Sequence, residues 1–523
     1  MKKYFVIAFS ILLTFNELIA QNEKKLDTLV FPNEITFHSS LEEEAFREYF
    51  NNKHDSYLKL FFAKDKDLTK EDFLIKQKYL LTYIDDLKNN SNYSKPNKKK
   101  VKYYFNEIHD KYLVKYDLNT FFPQIFKNGY YNCVTGTILF STIFDELNIP
   151  YIIKVSPIHA YLVAYPNTES ILVETTNPVK GYFVFNQSFK DNYIKHLKDG
   201  KLISLQEYNS ATIDELFEKH YFKEKNITLK EMVGIQYYND AVEKIQNQKF
   251  EEAFYELEKA YLFYPSEEIG YLLFYSAAIV IEKHDFSDLK YVDLLYKIAR
   301  YDNYGITREQ IVGEFSRITQ NQLEYKGRYD LYDSIYNRLY SKLTDIETRK
   351  EIAFIYNYEK ARLFVRNNKT DEALTYIVNA YTLRPDHLDV QTLLIHCISN
   401  KFGNKRISEK ILKEFLDFTD LYPAIKTHNI YLIMLSEAYI QLAVDGYEQN
   451  DINRAIKYQN LFLENSTKDS YSAYETNISI LFSTASVYYF KKGNMQKSKS
   501  LIIEGLKLVP ESYELKQRLK AFN

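Results

Sequence analysis

The sequence predicts two unlike parts, a compact α+β core preceded by helices and, after it, an all-α array of helical repeats. Three observations predict this. A cysteine, Cys133, opens a helical run, and a histidine and a glutamate, His159 and Glu174, follow in β-like segments. From about residue 230 small and aliphatic residues recur at fixed offsets. The 523 residues include 49 Tyr and 36 Phe but 13 Gly and 11 Pro, a balance that favours long helices over a turn-rich all-β plan.

Composition excludes several function classes. Lys plus Arg number 68 against 70 Asp plus Glu, a net charge of −2, so there is no electrostatic case for nucleic acid or for an anionic membrane surface. Cys133 and Cys397 are the two cysteines, which excludes a disulfide framework. Cys397, in the helical run Leu393 to Ile398, reads as a small buried hydrophobe. At the N-terminus Lys2 and Lys3 precede the apolar block Tyr4 to Phe15, then Leu18-Ile19-Ala20 and a polar run. Residues 1–20 therefore read as a secretory signal peptide, too short in its apolar block for the roughly 20 residues of a spanning helix. An uncleaved anchor is the alternative. The expectation is an exported chain, periplasmic or secreted, with no stable membrane span once the leader is removed.

Residues 21–100 read as an N-terminal helical region. Phe46, Tyr49 and Phe50, then Leu58, Leu60 and Phe61, are helically spaced, and Leu74, Tyr79, Leu80, Tyr83, Ile84 and Leu87 mark a second helix. Asn89 to Asn97 break the pattern. Lys98, Lys99, Lys100 and Lys102 then read as the solvated start of a helix over Val101 to Val114. His109 on that helix has no second metal ligand nearby and is read as structural.

The core is expected over residues 101–190. Asn132 suits an N-cap, which sets Cys133 in the first helical turn, and Asn148 and Pro150 end the helix. Free N–H groups and the positive end of the dipole there favour a thiolate and can receive an oxyanion. Tyr151 to Val155 is a strand, and His159, Tyr161, Val163 and Tyr165 share one face of the next. Pro166 to Glu169 is a hairpin loop, and Ile171 to Thr175 returns. If Tyr165 pairs with Ser170, Glu174 falls opposite Tyr161, a diagonal step from His159 on the same face. A one-residue slip turns Glu174 away.

The segments Tyr130-Tyr131-Asn132-Cys133-Val134-Thr135-Gly136-Thr137, Ile158-His159-Ala160-Tyr161-Leu162-Val163 and Val173-Glu174-Thr175-Thr176-Asn177-Pro178 resemble, in that order, transglutaminase-like proteins of the papain-type cysteine superfamily. The resemblance covers roughly residues 100 to 190. It implies a papain/transglutaminase-like fold with Cys133 as nucleophile, His159 as general base and acid, and Glu174 as the orienting acid, where the family usually has aspartate. The chain contains no Trp and no calcium-loop pattern, so neither a flanking tryptophan nor calcium dependence is carried over. No metal and no other cofactor is implied. Gln124, upstream, is the side chain named for a second oxyanion donor, and substrate-binding residues are not identified.

Residues 191–229 read as a helical connector, and residues 230–523 as helical repeats. Ala241, Ala253, Leu257, Ala260, Tyr261 and Pro265 return at identical offsets as Ala361, Ala373, Ile377, Ala380, Tyr381 and Pro385. A third copy is Ser486, Ser498, Ile502, Gly505, Leu506 and Pro510, and Ala438 to Leu463 reads as a degenerate unit. The aromatic near the start of a copy is Tyr237 and Phe482, with Asn357 in the middle one. The pattern resembles the tetratricopeptide repeat, which implies an α-solenoid that binds a protein or peptide. The expectation is an exported cysteine enzyme acting on protein or peptide amides by hydrolysis, deamidation or acyl transfer. The alternative is a catalytically idle fold serving as a scaffold through its repeats.

Overall fold

The computed structural model describes residues 29–52, 57–156, 159–178, 181–184, 187–200, 202–221, 225–301, 304–403, 405–466 and 475–522. The leader expected over residues 1–20 lies outside them. The chain divides into two compact units, Met1–Thr307 and Arg308–Asn523. Each is mostly helical, and the first also holds a small antiparallel sheet.

The first unit opens with α1 (Ser40–Asn52), α2 (Leu58–Phe62) and α3 (Lys70–Lys88). Thr69 and Asp72 close a capping box at the start of α3, satisfying N–H groups the first turn leaves open. The buried stripe of α3 is Phe73, Leu80, Tyr83, Ile84 and Leu87. Leu74 and Tyr79, expected on that stripe, are exposed. Each is one residue from a buried neighbour, which on a helix is a rotation of about 100°. Next comes α4 (Asn97–Tyr112), which buries Tyr104, Phe105 and Ile108 and carries its lysines at the start.

A short parallel pair, β1 (Lys115–Tyr116) with β2 (Tyr130–Tyr131), ties the chain after α4 to the residues just before Cys133. Between these strands lies α5 (Phe122–Asn128), and after them comes α6 (Cys133–Glu146). Asn148 leaves α6 with φ of 52°, the left-handed conformation that Asn tolerates at helix ends. The sheet comprises β3 (Tyr151–Ser156), β4 (His159–Ala164), β5 (Ile171–Val173), β6 (Tyr182–Val184) and β7 (Lys225–Ile227), in the order β6-β5-β4-β3-β7. Ala164 pairs with Ile171, so Tyr165 stands opposite Ser170 as the hairpin requires. Helices α7 (Gln187–Asp199), α8 (Leu205–Ser210) and α9 (Ile213–Tyr221) follow β6. Ile194, Leu216 and Phe217 pack with Tyr161 and Val163.

The connector expected over residues 191–229 is not purely helical. β7 within it pairs with β3, and β6 just before it pairs with β5, so the two edges of the sheet come from this part of the chain. Strands of three residues show no alternation to read, and Lys225-Asn226 carries no β signal.

Four helices complete the first unit: α10 (Leu229–Gln246), α11 (Phe250–Phe263), α12 (Glu267–Lys283) and α13 (Lys290–Ile298). The first repeat-like pair, α10 and α11, therefore belongs to the same compact unit as the sheet. It is bound to the N-terminal helices by buried charges. Lys64 pairs with Asp240 and Glu256, while Lys259 meets Glu42 at 3.0 Å. The Tyr237 hydroxyl donates to Glu42 Oε1 at 2.9 Å. His38, Glu42 and Glu256 lie close enough together to suggest metal ligands, but the ammonium groups of Lys64 and Lys259 pair with them.

In the second unit, α14 (Arg308–Ile318) runs into a π-helical stretch, Thr319–Tyr325, followed by α15 (Tyr329–Lys342). Then come α16 (Ile346–Arg366) and α17 (Thr370–Leu383), α18 (Leu388–Gly403) and α19 (Glu409–Thr419). The rest are α20 (Asn429–Glu448) with α21 (Ile452–Asn465), α22 (Glu475–Lys491) with α23 (Met495–Leu508), and α24 (Tyr513–Lys520). This is a helical-repeat architecture. Ala361, Ala373, Ile377 and Ala380 are buried at the pair contact, as are Ser486, Ser498, Ile502 and Gly505. The turn of each pair holds a residue of positive φ at the same offset: Gln248 (61°), Asn368 (58°), Asn450 (62°) and Gly493 (79°). Asn357, in the aromatic position, donates to the Ala353 carbonyl and accepts from Asn379.

Candidate active site

Asn132 is extended, and its Oδ1 accepts from Thr135 N at 2.9 Å while Thr135 Oγ1 accepts from Asn132 N at 2.9 Å. This capping box makes Cys133 the first residue of α6 and leaves the earliest N–H groups of the helix available around its thiol. Asn132 Nδ2 also donates to the carbonyls of Leu118 and Thr120, at 3.0 Å each. The same side chain therefore starts the helix and pins the loop beside it. Cys133 is half-buried and free of any disulfide.

His159 begins β4, and its ring stacks on Tyr161 with centroids 5.9 Å apart. Its Nε2 is paired with Glu174 Oε2. The ring also hydrogen-bonds the Cys133 side chain. That bond to Cys133, then the bond to Glu174, raise the imidazole to about 10 against the opposing effect of burial. Glu174 stands one residue past β5. Burial pushes its carboxyl up, but hydrogen bonds from His159 and Thr176 outweigh this and hold it below the ordinary carboxylate value. Its Oε1 accepts from Thr176 N at 3.1 Å and from Thr176 Oγ1 at 2.6 Å, so both carboxylate oxygens are fixed.

The three side chains read from the sequence are thus brought together, in the order thiol, imidazole, carboxylate. Two glycines allow it. A Cβ on Gly136 would stand 2.7 Å from Thr175 Oγ1, so only glycine lets α6 approach the strand end that carries Glu174. A Cβ on Gly181 would lie 2.1 Å from the Glu174 carbonyl, and Glu174 N donates to Gly181 O at 2.6 Å. His109, buried as its structural reading requires, also links the two sides of the site. It meets the Tyr131 hydroxyl at 3.4 Å and hydrogen-bonds the backbone of Thr175, and burial lowers its pKa.

Other parts of the site were not read from the sequence. Tyr116 is exposed, sits edge-on to Tyr131 across β1 and β2, and interacts electrostatically with Cys133 and Glu174. Only the β1–β2 pairing brings it here, and a two-residue strand has no sequence signal. Thr176 is legible as part of Glu174-Thr175-Thr176, but its bond to the carboxylate is not. Gln124 lies on α5 with Oε1 buried and unbonded, and its side chain makes no hydrogen bond with Cys133, His159 or Glu174. Cys397 is also free of any disulfide but lies outside the site. It is buried in α18, and burial pushes its thiol up to about 11.

No protein-family model matches the chain. No curated protein matches it either. Among solved structures 18 chains match, one of them a monomeric mutant of IFIT1 with m7Gppp-AAAA. That chain is 11% identical, the match covers 64% of this chain and 78% of that one, and the TM-score is 0.18. A score of this size carries no weight for fold or function. What the chain does has to be argued from its own site and from its helical repeats.

Proposed function

We propose that the chain is an exported, transglutaminase-like cysteine enzyme acting on protein or peptide amides, with helical repeats that bind protein. The observation that carries the reading is the His159 ring held between the Cys133 thiol and the fixed Glu174 carboxylate. A thiolate at the positive tip of a helix, paired with an imidazolium, is the resting state such chemistry needs. Cys133 Sγ attacks the amide carbonyl, and the oxyanion falls among the free N–H groups at the start of α6. The imidazolium passes a ring proton to the leaving amine, which departs and leaves a thioester. The neutral ring then takes a proton from water, whose oxygen attacks the thioester, and the thiolate is released. Hydrolysis or deamidation needs no second substrate site, whereas an amine in place of water yields a crosslink.

The test is labelling with a thiol-reactive acyl probe. Cys133→Ala should abolish it while circular dichroism stays unchanged, whereas equal labelling of variant and wild type removes the catalytic claim. Export rests on the charged and apolar leader over residues 1–20. N-terminal sequencing of the mature protein should begin at Gln21, and a chain still beginning at Met1 in the cell fraction overturns it.

A further inference from the structure

A cleft lies beside the start of the nucleophile's helix, within the first unit. The loop Leu118–Phe121 lines it, with Asn132 and Thr135 at the α6 end and α10 on another side. Its walls are built. Asn132 pins the loop through two carbonyls. Gln236, buried on α10, accepts from Phe122 N at 3.1 Å and donates to the Phe61 carbonyl at 3.4 Å, holding α10 against the chain that enters the site.

Asn239 and Glu243 follow Gln236 by three and seven residues, so they share its face of α10 and line the same cleft. Among the described residues the Glu243 carboxylate has no hydrogen-bond or ion-pair partner in the protein. It is the one charged side chain lining the cleft. Lys244, next along, is turned instead to Asp240 at 2.9 Å and Glu256 at 3.2 Å. The remaining polar lining is neutral: Asn119, Thr120, Asn132, Thr135, Gln236 and Asn239.

An unpaired, half-buried carboxylate among neutral amides, in a cleft that reaches the residues on either side of Cys133, selects for positive charge. We infer that this cleft is the enzyme's specificity site and takes a lysine or arginine side chain flanking the reacting amide, with Glu243 binding the cation and Asn239 the adjoining peptide. The inference rests on the acyl-transfer reading of Cys133. It makes α10, by pattern a repeat helix, a wall of the reaction cleft.

The experiment uses the full-length chain and peptidyl acyl probes that differ in one flanking residue: lysine, norleucine or glutamate. A small uncharged alkylating agent serves as control. The lysine probe should label Cys133 at least about tenfold faster than the glutamate probe, which is about 1.4 kcal/mol of discrimination. Glu243→Gln should erase the difference and Glu243→Lys should reverse it, with the control alkylation rate unchanged. Equal rates for the three probes, or a lysine preference that survives Glu243→Lys, overturn the assignment. If no acyl probe labels Cys133, the acyl-transfer reading fails on its own. Binding of the lysine peptide to Cys133→Ala, followed by fluorescence anisotropy, then decides the cleft. About tenfold weaker binding in Cys133→Ala/Glu243→Lys supports it, and unchanged binding overturns it.

Discussion

The helix that Cys133 opens and the repeat-like pairs meet one packing requirement, two backbones brought close together, with unequal amounts of repetition. In α6 a single residue, Gly136, admits the strand end bearing Glu174. Among the pairs the requirement recurs: Ala361 with Ala373, Gly446 against Ala455, and Ser486 bonded to Ser498 through hydroxyls 2.8 Å apart. A device used several times at one offset is visible by comparing the chain with itself. A device used once shows only when its distant partner is in view. The first pair, α10 and α11, belongs to both kinds. Its small residues follow the repeat pattern, while its outer face carries charges and amides that serve only this unit.

The comparison breaks most sharply at Glu174. If the unrepeated geometry is catalytic, Glu174→Gln should lower amide turnover by up to about 10⁴-fold, since the ring loses both its orientation and its counter-charge. The pH profile carries a second sign. Because His159 is raised to about 10, its stabilising contribution is complete below its unfolded value of 6.5 and is lost as pH rises through about 10. Activity should therefore have an alkaline limb near 10 in the wild type, and Glu174→Gln should move it toward 6.5. An unmoved limb would show that Glu174 does not govern the ring.

Lys64→Ala is the next largest change. It takes one buried ammonium from Asp240 and Glu256, which keep Lys244 and, for Glu256, Lys259, and should destabilise the first unit by about 2–3 kcal/mol. Amide exchange on α10 and α11 measures it, and a loss under about 1 kcal/mol would mean that water replaces the ammonium. Gly136→Ala should cost about 1–3 kcal/mol through the contact with Thr175 and slow acyl labelling of Cys133 as well. An unaffected labelling rate would detach that close approach from the chemistry. The smallest effect lies in the turns. Gln248 is strained at a φ of 61°, so Gln248→Gly should stabilise by up to about 1 kcal/mol, read as a shift in the thermal midpoint. No gain there would show that the side chain compensates the strain.

These regions also explain what the sequence could carry. Asn132 and Cys133 are readable because an N-cap is a local event, and the Tyr165–Ser170 pairing because a short loop fixes its own register. The small residues of the repeats are readable through their common offset. The edge strands β6 and β7 were not, because their partners lie across the sheet. Nor was the solvent-facing side of α3, where Leu74 and Tyr79 look like core to a periodicity argument and are exposed. Within the site, the hidden parts are those set by tertiary proximity alone: Tyr116 near Cys133 and Glu174, and His109 bridging Tyr131 and Thr175.

β7 ends at Ile227 and α10 begins at Leu229. Anyone who trims the gene at what looks like a natural seam near residue 230 would strip Phe122 N of its acceptor, Gln236, and Lys64 of both its acids. The shortest portion worth expressing for biochemistry therefore runs through Thr307. Insoluble protein from a shorter clone would reflect where the cut was made and would say nothing against the proposed activity.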